Sequence, residues 1–129
     1  MTYGSKKELN LSFEKSVDRV IEALKDEGFG VVSTIDLKEK FREKLGIDFR
    51  KYVILGACHP SSAHNAIMAE ENVGLMLPCN VVVYEKNGHA VVSIIKPSVA
   101  MGMIKNEELK QVALLVESKL EKVFNSLGG

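Results

Sequence analysis

Apolar positions recur along this chain with two periods, and the period changes several times. From Phe13 to Leu24 the apolar residues Phe13, Val17, Val20, Ile21 and Leu24 lie three or four apart. That spacing builds one stripe on a helix. Ser12 is placed to cap its start, and Gly28 supplies a left-handed stop. A shorter helix is predicted from an Asp36 cap through Leu37, Phe41 and Leu45 to Gly46. The longest helical stripe is Leu109, Val112, Val116, Leu120, Val123 and Leu127. It starts from Asn106, with Glu107 and Glu108 at its positive end. Arg19, Glu22, Lys110 and Lys119 fall on the opposite, solvated faces.

Between the helices the runs are shorter and rich in β-branched residues, which predicts strands at Thr2–Leu11, Phe29–Ile35, Arg50–Ala57, Asn80–Lys86 and His89–Ile95. Asn87-Gly88 joins the last two as a two-residue hairpin turn. Its register pairs Lys86 with His89, Tyr84 with Val91 and Val82 with Ser93. The opposite face then collects Cys79, Val81, Val83, Ala90, Val92 and Ile94. The predicted order is β-α-β-α-β-α-β-β-α, with Ser61–Glu70 as the third helix. It indicates an α+β chain: a two-layer sandwich of a mainly antiparallel sheet with helices on one face. The other face must be wet or covered by a partner.

The chain has 129 residues with no repeat, linker or low-complexity tract, so it reads as a single domain, 1–129. Lysine plus arginine and aspartate plus glutamate number 17 each. The balance is also local, with 11 basic and 10 acidic residues up to His64 and then 6 and 7. No basic stripe for nucleic acid appears. Low net charge favours self-association, and a homodimer is expected. The start, Met-Thr-Tyr-Gly-Ser-Lys-Lys, lacks a secretory apolar stretch, and no run approaches the ~20 apolar residues of a membrane span. The expectation is a cytoplasmic protein with two free thiols.

Candidate chemistry is concentrated at two junctions, Cys58-His59-Pro60 and Leu77-Pro78-Cys79. Cys58 follows a strand and precedes a proline suited to a first helical turn. A thiol there meets free backbone N–H groups and the positive end of a helix, which favour a thiolate. Cys79, on the apolar strand face, reads as a buried structural residue. Cys58, His59, Pro78 and Cys79 are therefore the candidate ligand-binding residues, for a small ligand, an anionic one suiting the helix start, or a protein partner. Cys58, His59, His64 and Cys79 are candidate ligands for zinc or copper, but neither C-x-x-C nor H-x-x-x-H spacing occurs. Cys58-His59-Pro60-Ser61 imitates a monothiol redox motif, which makes thiol redox chemistry through Cys58 and Cys79 the alternative. Only about seven residues are available where a thioredoxin-like fold needs a strand and a helix. Phosphate-binding glycine loops and a G-x-S-x-G elbow are absent. Ser61 and Ser62 read as capping serines, and His89, beside the hairpin turn, as exposed. Met101, Met103 and Ile104 flank Gly102 in a mobile-looking stretch after Pro97, where methionines fill a core or line a surface.

The string Tyr52-Val53-Ile54-Leu55-Gly56-Ala57-Cys58-His59-Pro60, with Gly74-Leu75-Met76-Leu77-Pro78-Cys79-Asn80-Val81-Val82-Val83, resembles the family catalogued as domain of unknown function 302. Gly28-Phe29-Gly30-Val31, Asp36 and Leu45-Gly46-Ile47-Asp48-Phe49 extend the likeness over most of the chain. The resemblance implies a small prokaryotic domain with a fold like one half of the TATA-binding protein. It implies no established activity, and the function class stays open between a binding domain and a thiol or metal protein.

Overall fold

The structure, a computed structural model, describes residues 1–128. Five strands, β1 (Gly4–Leu9), β2 (Gly30–Asp36), β3 (Tyr52–Cys58), β4 (Cys79–Lys86) and β5 (His89–Ile95), form one antiparallel sheet in the order β1-β5-β4-β3-β2. The helices are α1 (Phe13–Asp26), α2 (Leu37–Leu45), α3 (Pro60–Ala69), the single turn α4 (Pro97–Ala100) and α5 (Glu107–Ser126).

Local chemistry sets most of the boundaries. Ser12, Asp36 and Asn106 each accept a hydrogen bond from a backbone N–H three residues on, which satisfies a donor that the first turn leaves open. Gly46 ends α2 in the left-handed conformation. The hairpin has the register that Asn87-Gly88 demands, pairing Lys86 with His89, Tyr84 with Val91 and Val82 with Ser93.

Period two separates the sheet faces. Leu55, Val81, Val83, Val92 and Ile94 are buried against Val20 and Leu24 of α1 and Val116, Leu120 and Val123 of α5. Burial of such side chains stabilises by roughly 1.5–3 kcal/mol each. On the open face Tyr52 stacks on Tyr84 at 5.3 Å between ring centroids, and Asn80 and Lys6 are exposed. The architecture is an α+β sandwich.

Three segments differ from the sequence reading. β1 is shorter than the predicted Thr2–Leu11, spanning Gly4–Leu9. Glu71–Met76 is a 3-10 helix that no periodicity announced. The stretch after Pro97 is not loose: α4 packs on α5, and Met101 is buried while Met103 is exposed. Among the described residues no helix is long and apolar enough to cross a membrane.

Candidate functional site

A cavity of about 310 Å³ opens where α3 and α5 meet the ends of β3 and β4. β3 runs out at Cys58, and Pro60 starts α3 immediately, so Cys58 and His59 stand at the corner between sheet and helix. β4 enters the sheet at Cys79, directly opposite Ala57 of β3, after a cis Leu77–Pro78 peptide. Cys58, His59, Pro78 and Cys79 therefore share one cavity wall, although about twenty residues separate the two pairs in sequence.

The remaining wall is apolar. Ala63, Ala66 and Ile67 come from α3, Val112, Ala113 and Val116 from α5, and Phe29 from the entry to β2. Met101 closes the side nearest α4. Sequence reasoning named Met101 only as either core or surface, read Ser62 as a capping serine and missed the alanines. The signal was present in α3: Ala63, Ala66 and Ile67 give it an apolar side.

His59 is fixed on three sides. Its Nδ1 shares a 2.8 Å hydrogen bond with the buried Ser62 hydroxyl, a side-chain contact across the first turn of α3 that leaves the backbone N–H groups of that turn uncapped by the imidazole. Its ring tilts against Phe29, 5.4 Å between centroids. It also lies over Gly28, whose φ of +85° suits glycine and where an added Cβ would come within 3.2 Å of the imidazole. Burial, followed by the positive charge of Lys119, holds the His59 pKa below its usual value. The ring is thus neutral at pH 7 and can both donate and accept a hydrogen bond.

Burial, with a smaller contribution from neighbouring Cys58, pushes the Cys79 thiol up to about 11. Cys79 is a protonated, apolar wall residue at physiological pH, in line with its strand register. Cys58 is half-buried, and both cysteines are free thiols.

The expected zinc or copper donor set of Cys58, His59, His64 and Cys79 is not assembled. His64 points to solvent from α3 and is not part of the cavity wall. Among the described residues no three His, Cys, Asp or Glu side chains are placed to hold a metal ion. The physical reason lies in α3 itself: His59 is turned toward Ser62 and Phe29, and His64 lies on the helix face away from the sheet. The cavity wall contains no lysine or arginine.

No curated protein matches this chain. A solved structure does: the crystal structure of an uncharacterised conserved DUF302 protein from Bacillus stearothermophilus has a TM-score of 0.89 with it at 32% sequence identity, covering 97% of this chain and 98% of that one. Residues 5–127 match the family described as Domain of unknown function DUF302. The corner motifs that build the cavity lie within the matched span, and the chain belongs to the DUF302 family.

Proposed function

We propose that this chain is a binding domain for a small, largely apolar molecule seated among Cys58, His59, Pro78 and Cys79. The observation that carries this reading is the cavity itself, at the junction of sheet and helices, with its apolar wall and one neutral hydrogen-bonding pair. Small-molecule sites are typically concave, mostly apolar and larger than about 300 Å³, with a few polar groups that orient the ligand. His59, held by Ser62, supplies that group, and the Cys58 thiol offers a second, softer contact. A fully charged ligand would leave its charge without a partner inside this wall.

Thiol redox chemistry has less support. A resolving partner must become a thiolate, and Cys79 with a pKa of about 11 stays protonated at neutral pH. An apolar cavity has no such requirement.

The test uses 1-anilinonaphthalene, an uncharged fluorescent apolar probe. The expected result is saturable one-to-one binding, weakened at least tenfold by Ala63→Leu, which projects into the cavity from α3. Equal binding by a folded Ala63→Leu protein, or no saturable binding by the wild type, overturns the proposal. Should Ala63→Leu not fold, protection of Cys58 from alkylation by the bound probe decides between the same two outcomes.

A further inference from the structure

The two edges of the sheet differ in their chemistry. β1 and β2 are the outer strands. β1 carries Lys6, Lys7 and Glu8 in succession, and Lys7 is drawn inward, bonding to the Leu127 carbonyl and lying over the Phe124 ring. Charges on an outer strand, lysine above all, oppose pairing with another sheet. β2 carries no charge from Gly30 through Ile35. Its one charged residue, Asp36, stands at the end and caps α2.

β2 is also uncovered. Of its residues Val31 alone is half-buried, while Val32 is 66% and Ile35 41% exposed. A bulge can turn an edge away from pairing, and β2 has one between Val31 and Ser33. From Ser33 to Asp36 its pairing with β3 is regular, so the outward N–H and C=O groups of that half keep strand geometry. An uncharged, exposed and regular edge is a template for another strand.

We propose that β2 is where two copies of this chain pair, antiparallel about a twofold axis, joining two five-stranded sheets into one. Three observations favour a second copy over a foreign strand. Identical edges related by a twofold are self-complementary, each outward N–H meeting an outward C=O of the other copy. In a register centred on Thr34, which pairs the regular Ser33–Ile35 segments of the two copies, Asp36 falls opposite Val32 of the other strand, so no like charges face each other. The net charge of zero removes long-range repulsion between copies. Because the β1 edge is charged, the assembly closes as a dimer rather than continuing as a filament. The inference does not depend on what the cavity binds.

Light scattering on a sizing column tests it, with the wild-type protein loaded between about 1 and 100 μM. A dimer is expected at the upper concentration. The double variant Ser33→Lys/Thr34→Lys, which alters two exposed side chains, should associate at least tenfold more weakly and keep its circular dichroism. Lys6→Asp, on the other edge, should remain dimeric. Hydrogen exchange of the wild type provides a reading that needs no variant: amides from 33 to 36 should exchange more slowly in concentrated than in dilute protein. A wild-type monomer at every concentration, a dimer indifferent to the two lysines, or concentration-dependent protection confined to other strands overturns the proposal.

Discussion

Nδ1 of His59 lies 2.8 Å from the hydroxyl of Ser62, three residues later in the first turn of α3. This bond ties two side chains across the first turn of the helix and also sets the orientation of the cavity's imidazole. Structure and site are coupled at one side chain, so the protonation of His59 has consequences for both.

The pH dependence follows from that coupling. Burial, then Lys119, lowers the His59 pKa in the folded chain below the ordinary value of 6.5. The unfolded chain therefore binds more protons than the folded one once the pH drops below about 6.5, and acid costs stability. Above that value the group makes no difference, because it is neutral in both states. Thermal unfolding from pH 8 to 5 should show wild type losing more stability on acidification than His59→Asn. Parallel curves for the two proteins would place the acid sensitivity elsewhere.

The cysteines should differ in the same experiment run with a thiol reagent. Cys58 is half-buried at the corner of the cavity, whereas Cys79 is 8% exposed with its pKa raised to about 11. At pH 8 iodoacetamide should modify one thiol quickly, and Cys58→Ser should abolish that phase. The slower thiol should react only as the chain opens. Cys79→Ser should also be the more destabilising substitution, by about 1–3 kcal/mol, since it sets a hydroxyl in the apolar core without a partner. Equal alkylation rates at the two positions would contradict the burial assigned to Cys79.

Gly56 predicts how rigid the far wall is. A Cβ there would overlap the Ser33 hydroxyl and stand 2.7 Å from Cγ of Pro78. The serine can rotate away, but the proline ring cannot. Gly56→Ala should cost about 1–3 kcal/mol through overpacking, and adding Ser33→Ala should recover little of it. Full recovery in the double variant would show that Pro78 yields freely and that the wall is soft.

The difference between what was and was not legible in the sequence follows from the range of the forces. Ser12, Asp36, Asn106 and Asn87-Gly88 act within three or four residues, and each set the boundary that its side chain implies. The apolar alternation of β4 and β5 likewise fixed which face Cys79 occupies. The cavity depends on contacts between segments. Cys58 and Cys79 become neighbours because β3 pairs with β4, and Met101 joins them because α4 folds against α5. No local pattern encodes either contact. His64 illustrates the same limit: five residues from His59 on one helix, it faces away, and a rotation about the helix axis was all that separated the two possibilities.

Asn106 should prove to be the tie that keeps the cavity's two helices together. Its Oδ1 accepts from the Leu109 N–H at 3.0 Å, capping α5. Its Nδ2 donates to the Ala69 carbonyl at 2.7 Å and to Glu70 Oε1 at 3.2 Å, at the end of α3. One amide therefore joins the start of α5 to the end of α3, on either side of the cavity. Asn106→Asp retains the acceptor and suits a helix start. It loses the donor and sets a carboxylate beside Glu70, leaving the Ala69 carbonyl without its partner. The aspartate variant should therefore lose about 1–2 kcal/mol in spite of a sound cap, and probe binding in the cavity should weaken as α3 loosens. Asn106→Ala removes both functions and should be worse still, by about another 1 kcal/mol from the missing cap. Denaturant melts of the two variants separate the contributions: if the aspartate protein matches wild type in both stability and probe affinity, the cap alone accounts for Asn106 and the link to α3 carries no weight.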